Sequence, residues 1–138
     1  MYHRGEGWSD PLDYFQPQTL LQRGQWDCGV EVFREIAGLS REELLCDLPE
    51  AINGIPVIEW EKWLTARGFG IKRHQPDERY TLPCAHLIRR PPYHHWIYED
   101  HKGILDPDPK FRICSPKSLT LATYREGREL TISILTKP

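Results

Sequence analysis

Apolar positions recur at helical spacing in the first half of the chain, and in the second half they alternate or run together. Val30, Val32, Phe33, Ile36 and Ala37 follow the helical repeat, which predicts a first helix from about Cys28 to Ala37. Asp27 stands where an N-cap belongs, and Gly38 where a left-handed terminating residue belongs. Ser40-Arg41-Glu42-Glu43 matches a capping box and predicts a short second helix with Leu44 and Leu45 on its buried side. Pro49 and Asn53-Gly54 mark a turn region. A third helix is expected from Pro56 to Arg67, closed by Gly68, with Val57, Trp60, Trp63 and Leu64 on one face. Those tryptophans read as core.

After Gly68 the pattern changes. Phe69–Arg73 is a short strand candidate. Leu82–Ile88, an apolar run holding Cys84 and His86, reads as a central strand broken by Pro91-Pro92. Tyr93–Glu99 is the next strand, Asp100–Gly103 a turn, and Ile104-Leu105 the start of a return that Pro107 and Pro109 end early or hold at an edge. Phe111–Cys114 and Leu119–Tyr124 are weaker candidates. Leu130, Ile132 and Ile134 alternate cleanly and predict a closing strand over Leu130–Leu135. Residues 1–20, with Gly5, Gly7, Pro11 and Pro17, read as an irregular arm. Helices first and an antiparallel sheet afterwards define an α+β class rather than a parallel α/β sheet.

Composition narrows the picture. A chain of 138 residues suits a single domain over 1–138 with a real core. The formal net charge of −2 and the lack of a basic stripe argue against a nucleic-acid partner, so Lys72-Arg73 and Arg89-Arg90 read as solvated surface. No basic segment followed by an apolar run opens the chain, and no apolar stretch approaches the roughly 20 residues that span a bilayer. The expectation is a soluble, cytoplasmic protein without a membrane partner. Oligomeric state is left open. Cys28, Cys46, Cys84 and Cys114 are widely spaced, which favours free thiols over a disulfide framework. Zinc-ligand spacings among the cysteines and histidines are absent, so no metal and no cofactor is expected.

Cys28 carries the candidate chemistry. In the first turn of a helix it meets the positive end of the dipole, which favours a reactive thiolate. A thiol nucleophile needs a base, an orienting group for that base, and donors for an oxyanion. His94 and His95 are adjacent on a predicted strand and point to opposite faces, so one of them faces Cys28. If the turn in Asp100–Gly103 has a two-residue loop, opposing residue numbers sum to an odd value, and His95 then shares a face with Asp106. A three-residue loop would select His94. Asp106 would hold the imidazole tautomer as the third member of a triad, with Asp108 the runner-up. Taken singly, Cys28 reads as a buried thiol and Asp106 as a turn former.

Taken together, these residues carry a family likeness. Gln22–Gly29, ending in Asp27-Cys28-Gly29, resembles the nucleophile motif of the papain-like cysteine peptidases, in particular the C39-like branch related to bacteriocin-processing peptidases. Pro83-Cys84-Ala85-His86-Leu87, His95-Trp96-Ile97 and Leu105-Asp106-Pro107 are similar to that family's central strand, histidine strand and aspartate-proline return. The likeness covers about residues 20–110. It implies a papain-like fold with the nucleophile at a helix start, catalysis by Cys28, His95 and Asp106, and Gln22 rather than Gln25 lining the oxyanion hole with the Cys28 backbone N–H. It also implies a peptide or protein substrate, and suggests a compact domain of the kind found in phages and other mobile elements. Val30-Glu31 depart from the small or proline residues that often follow Cys-Gly in the family. No transporter is expected alongside this chain, so the leader-peptide substrate of the C39 domains proper is not expected to carry over. An amidase, deamidase or acyl transferase would use the same triad, and a papain-fold module could instead bind a peptide or host protein without turning it over.

Overall fold

The computed structural model describes residues 27–90, 93–107 and 126–138, with Arg90 and Tyr93 as backbone alone. Helix α1 spans Cys28–Ala37, α2 Arg41–Asp47 and α3 Val57–Ala66, with a 3-10 turn at Pro49–Asn53. Strands β1 (Gly70–His74), β2 (Cys84–Arg90), β3 (Tyr93–Asp100), β4 (Gly103–Leu105) and β5 (Arg128–Thr136) follow. They form one antiparallel sheet in the order β1-β5-β2-β3-β4, on which the helices pack. The architecture is α+β. The arm, Gln22, Gln25, Asp108, Cys114 and the two weaker strand candidates lie outside the described residues.

Local signals set the helix ends. Gly38 takes a φ of 70° and closes α1. Ser40 caps α2 in the expected box, its Oγ accepting from Glu43 N at 3.1 Å while Glu43 Oε1 accepts from Ser40 N at 2.9 Å. Pro56 sits one position earlier than expected, as the extended residue before α3. Gly68, at φ 93°, ends α3 with Phe69 N donating to Leu64 O.

Asp27 departs from its expected role. It makes no side-chain cap hydrogen bond, and its carboxylate pairs with Arg41 Nη1 at 2.7 Å. The same guanidinium nitrogen reaches Glu31 Oε2 at 2.8 Å, and Arg34 holds the other Glu31 oxygen. Asp27 and Glu31 are both buried, so a charged partner outweighs a backbone N–H. Burial pulls the Arg41 pKa down, but hydrogen bonds and charge from the two carboxylates overcome it and raise the pKa above its ordinary value. The start of α1 is thereby tied to α2.

The core lies between the helices and one sheet face. Phe33 stacks on Trp60 at 4.3 Å and meets Trp96 edge-on at 4.9 Å. Leu44, Leu64, Ala85, Leu87, Tyr98, Ile132 and Ile134 complete it. The second face is buried as well, through Cys84, His86, Ile88, Ile97, Glu99, Ile104, Thr131 and Ser133. On β5 the expected Leu130, Ile132 and Ile134 face is thus backed by a buried polar one. A register shift between Leu87 and Ile88 skips Glu129 and pairs Ile88 with Arg128. This bulge turns Arg128 onto the Thr131 face. Among the described residues no helix is long and apolar enough to cross a membrane.

Candidate active site

The β3–β4 hairpin decides which histidine faces Cys28. Asp100 pairs with Gly103, Glu99 with Ile104 and Tyr98 with Leu105, so the loop is the two residues His101 and Lys102. Continuing that register sets Asp106 opposite Ile97 and diagonal to His95, on one face. His95 Nε2 lies 2.6 Å from Asp106 Oδ1, with both side chains buried. The Cys28 thiol lies near enough to act on the His95 imidazole. With Nε2 committed to Asp106, Nδ1 is the nitrogen left for the thiol. His94 is more than half exposed and pairs with Glu129 at 3.0 Å, although it too lines the cleft that opens at Cys28.

Burial alone would push the His95 pKa down. The Asp106 charge and hydrogen bond, together with Cys28, reverse this and hold His95 well above its ordinary value. The imidazolium is therefore favoured in a dry setting, as an imidazolium–thiolate pair requires. β4 ends at Leu105, and beyond that end the Trp96 N–H donates to Cys28 Sγ at 3.4 Å. That bond fixes the sulfur against β3.

A cleft of about 440 Å³ opens beside Cys28, lined by Gly29, Ile55, Val57, Trp60, Leu87 and Trp96 among others. Trp60 is core, as expected, and also cleft wall. Gly29 is required by close packing. A Cβ there would lie 2.9 Å from Trp60 Cζ2 and 3.1 Å from Trp96 Cδ1, and both rings are locked in the core. Gly29→Ala should cost about 1–3 kcal/mol through overpacking, read by urea denaturation, and should displace the helix turn that carries Cys28.

A second polar cluster, further along the sheet face that carries His95, was not anticipated as a unit. Cys84 and His86 project from β2, and Glu99 pairs directly with Cys84 across β3; all three are fully buried. His86 Nε2 meets Glu99 Oε1 at 2.7 Å and Cys84 Sγ at 3.4 Å, and His86 Nδ1 meets Thr131 Oγ1 at 2.7 Å. Tyr80 O–H donates to Glu99 Oε1 at 3.1 Å, and Arg128 Nη1 donates to Thr131 Oγ1 at 3.2 Å. Burial lowers the His86 pKa despite Glu99, which favours the neutral imidazole and a hydrogen bond to Glu99. Burial, reinforced by Glu99, raises the Cys84 thiol well above its ordinary value. The Cys-x-His alternation was the available signal, since it puts both side chains on one face of a strand.

Comparison with known proteins finds no matching family model, no matching curated protein and no matching solved structure. The functional reading therefore rests on the geometry.

Proposed function

We propose that the chain is a papain-like cysteine peptidase of the C39-like type, hydrolysing a peptide or isopeptide bond in a peptide or protein substrate. The observation that carries this reading is the buried His95, 2.6 Å from Asp106 and next along β3 to Trp96, whose N–H holds the Cys28 sulfur at 3.4 Å. A thiol at a helix start, an imidazole and an orienting carboxylate are the parts that acyl transfer needs. In this reading the Cys28 thiolate attacks the carbonyl carbon. The tetrahedral intermediate collapses as the C–N bond breaks, and the His95 imidazolium gives its proton to the leaving amine. Water then attacks the thioester while His95 takes its proton, releasing the acid and restoring the thiol. Gln22 and the Cys28 backbone N–H are the proposed oxyanion donors. The apolar cleft beside Cys28 favours a peptide chain over a small polar amide as acyl donor.

A thiol-reactive peptide probe tests this directly. Cys46 is exposed, whereas Cys28 and Cys84 are buried. Exposure alone would therefore direct labelling to Cys46. The triad instead predicts that brief treatment at neutral pH labels Cys28 ahead of Cys46, Cys84 and Cys114, and that Cys28→Ala loses the probe adduct. Peptide mapping by mass spectrometry reads the outcome, and labelling confined to Cys46 would overturn the proposal.

A further inference from the structure

We propose that Cys84, His86 and Glu99 form a zinc site that ties β2 to β3, apart from the Cys28 centre. Their ligand atoms lie within 4.8 Å of one another. They come from two central strands, so the scaffold is rigid. Two ligands on one tetrahedral zinc, at Zn–S and Zn–N lengths of about 2.3 and 2.05 Å, are separated by about 3.6 Å. Cys84 Sγ and His86 Nε2 stand 3.4 Å apart. A nitrogen and a carboxylate oxygen on the same ion are about 3.4 Å apart, so the 2.7 Å contact between His86 and Glu99 has to open by about 0.7 Å, which a turn of the Glu99 side chain supplies.

The surroundings suit an ion. A ligating histidine ordinarily has its other ring nitrogen fixed by a hydrogen bond. Thr131 Oγ1 does this at His86 Nδ1, and Arg128 in turn holds Thr131. On binding, the imidazole proton moves to Nδ1 and is donated to Thr131 Oγ1, which frees Nε2 for the metal. The Cys84 thiol releases its proton to solvent. Thiolate and carboxylate then balance the two positive charges of the ion, and the nearby Arg128 guanidinium favours the thiolate form of Cys84. Tyr80 Oη donates to the coordinating carboxylate at 3.1 Å and so orients it, as an outer hydrogen-bond partner does. Thiolate and imidazole together select zinc over magnesium or calcium. The inference does not rest on the peptidase reading.

The test uses the full chain with Cys28, Cys46 and Cys114 changed to serine, so that Cys84 is the sole thiol. After dialysis against zinc and then against buffer, elemental analysis should find about one zinc per chain. Replacing zinc with cobalt(II) should give a thiolate-to-cobalt charge-transfer band. Thr131→Val in this background should weaken zinc binding by about 10–100-fold, and Glu99→Gln should weaken it further, with circular dichroism checking that each variant folds. A folded Cys84-only chain that retains no zinc would overturn the proposal. So would bound cobalt without the thiolate band, and the cluster would then be a hydrogen-bond network alone.

Discussion

Cys28→Ala is expected to lower peptide hydrolysis by at least about 10⁴-fold, because the covalent route disappears while the cleft remains. Cys28 is nearly buried, at 4 % exposure, and its side chain is small. Alanine leaves a modest void and loses the sulfur's bond with Trp96 N–H, so stability should change by only about 1 kcal/mol. His95→Ala should lose a comparable factor. The double variant should lose no more than either single one, since thiol and imidazole act as a unit. Steady-state hydrolysis of a peptide library, alongside thermal melts, checks all three. Hydrolysis that survives Cys28→Ala would assign the activity to another nucleophile. Unchanged peptide binding with no turnover even in the parent chain would favour a module that binds without cutting.

Asp106→Ala is expected to act on both stability and rate. Asp106 is fully buried and its partner is the buried His95. Removing one member of such a pair costs about 3–5 kcal/mol, and loss of the orienting carboxylate should lower the rate by about 10²–10⁴-fold. The stability effect should depend on pH. His95 is held well above its ordinary value by Asp106 and Cys28, which outweigh the opposing effect of burial. A raised folded-state pKa contributes stability that is complete below the unfolded value of about 6.5 and is lost as pH rises through the folded one. The gap between parent and variant should therefore narrow on the alkaline side of neutrality. Urea denaturation at a series of pH values reads it, and a gap that stays constant into alkaline pH would mean that His95 is neutral beside Asp106.

Much of the fold was legible because it is coded locally. The capping box at Ser40 and Glu43 and the glycines at 38 and 68 act within one helical turn. Pro56 was misplaced by one residue, since its fixed φ suits both the N-cap and the next position. The hairpin argument for His95 also needed only local information, namely strand alternation and a two-residue loop, and the register agrees with it. Asp27 was misjudged because its partner, Arg41, lies on the next helix. Capping logic sees only the following backbone N–H groups and cannot weigh a distant guanidinium. The Arg128 side chain was equally out of reach, because the bulge at Glu129 depends on pairing with β2.

By itself the sequence determined the α+β class, most of the helix ends and the order of the described strands, and it narrowed the base to His95 or His94, a choice that the two-residue β3–β4 loop then made. Each follows from interactions between residues close in the chain, where periodicity and turn geometry leave few alternatives. Only the tertiary structure decided that Cys28 is held by the Trp96 N–H, that Arg41 gathers Asp27 and Glu31, and that Glu99 lies across from Cys84 beside His86. Those contacts join segments far apart in the chain. Their energies come from burial and charge pairing, which exist only once the sheet and helices have closed on one another.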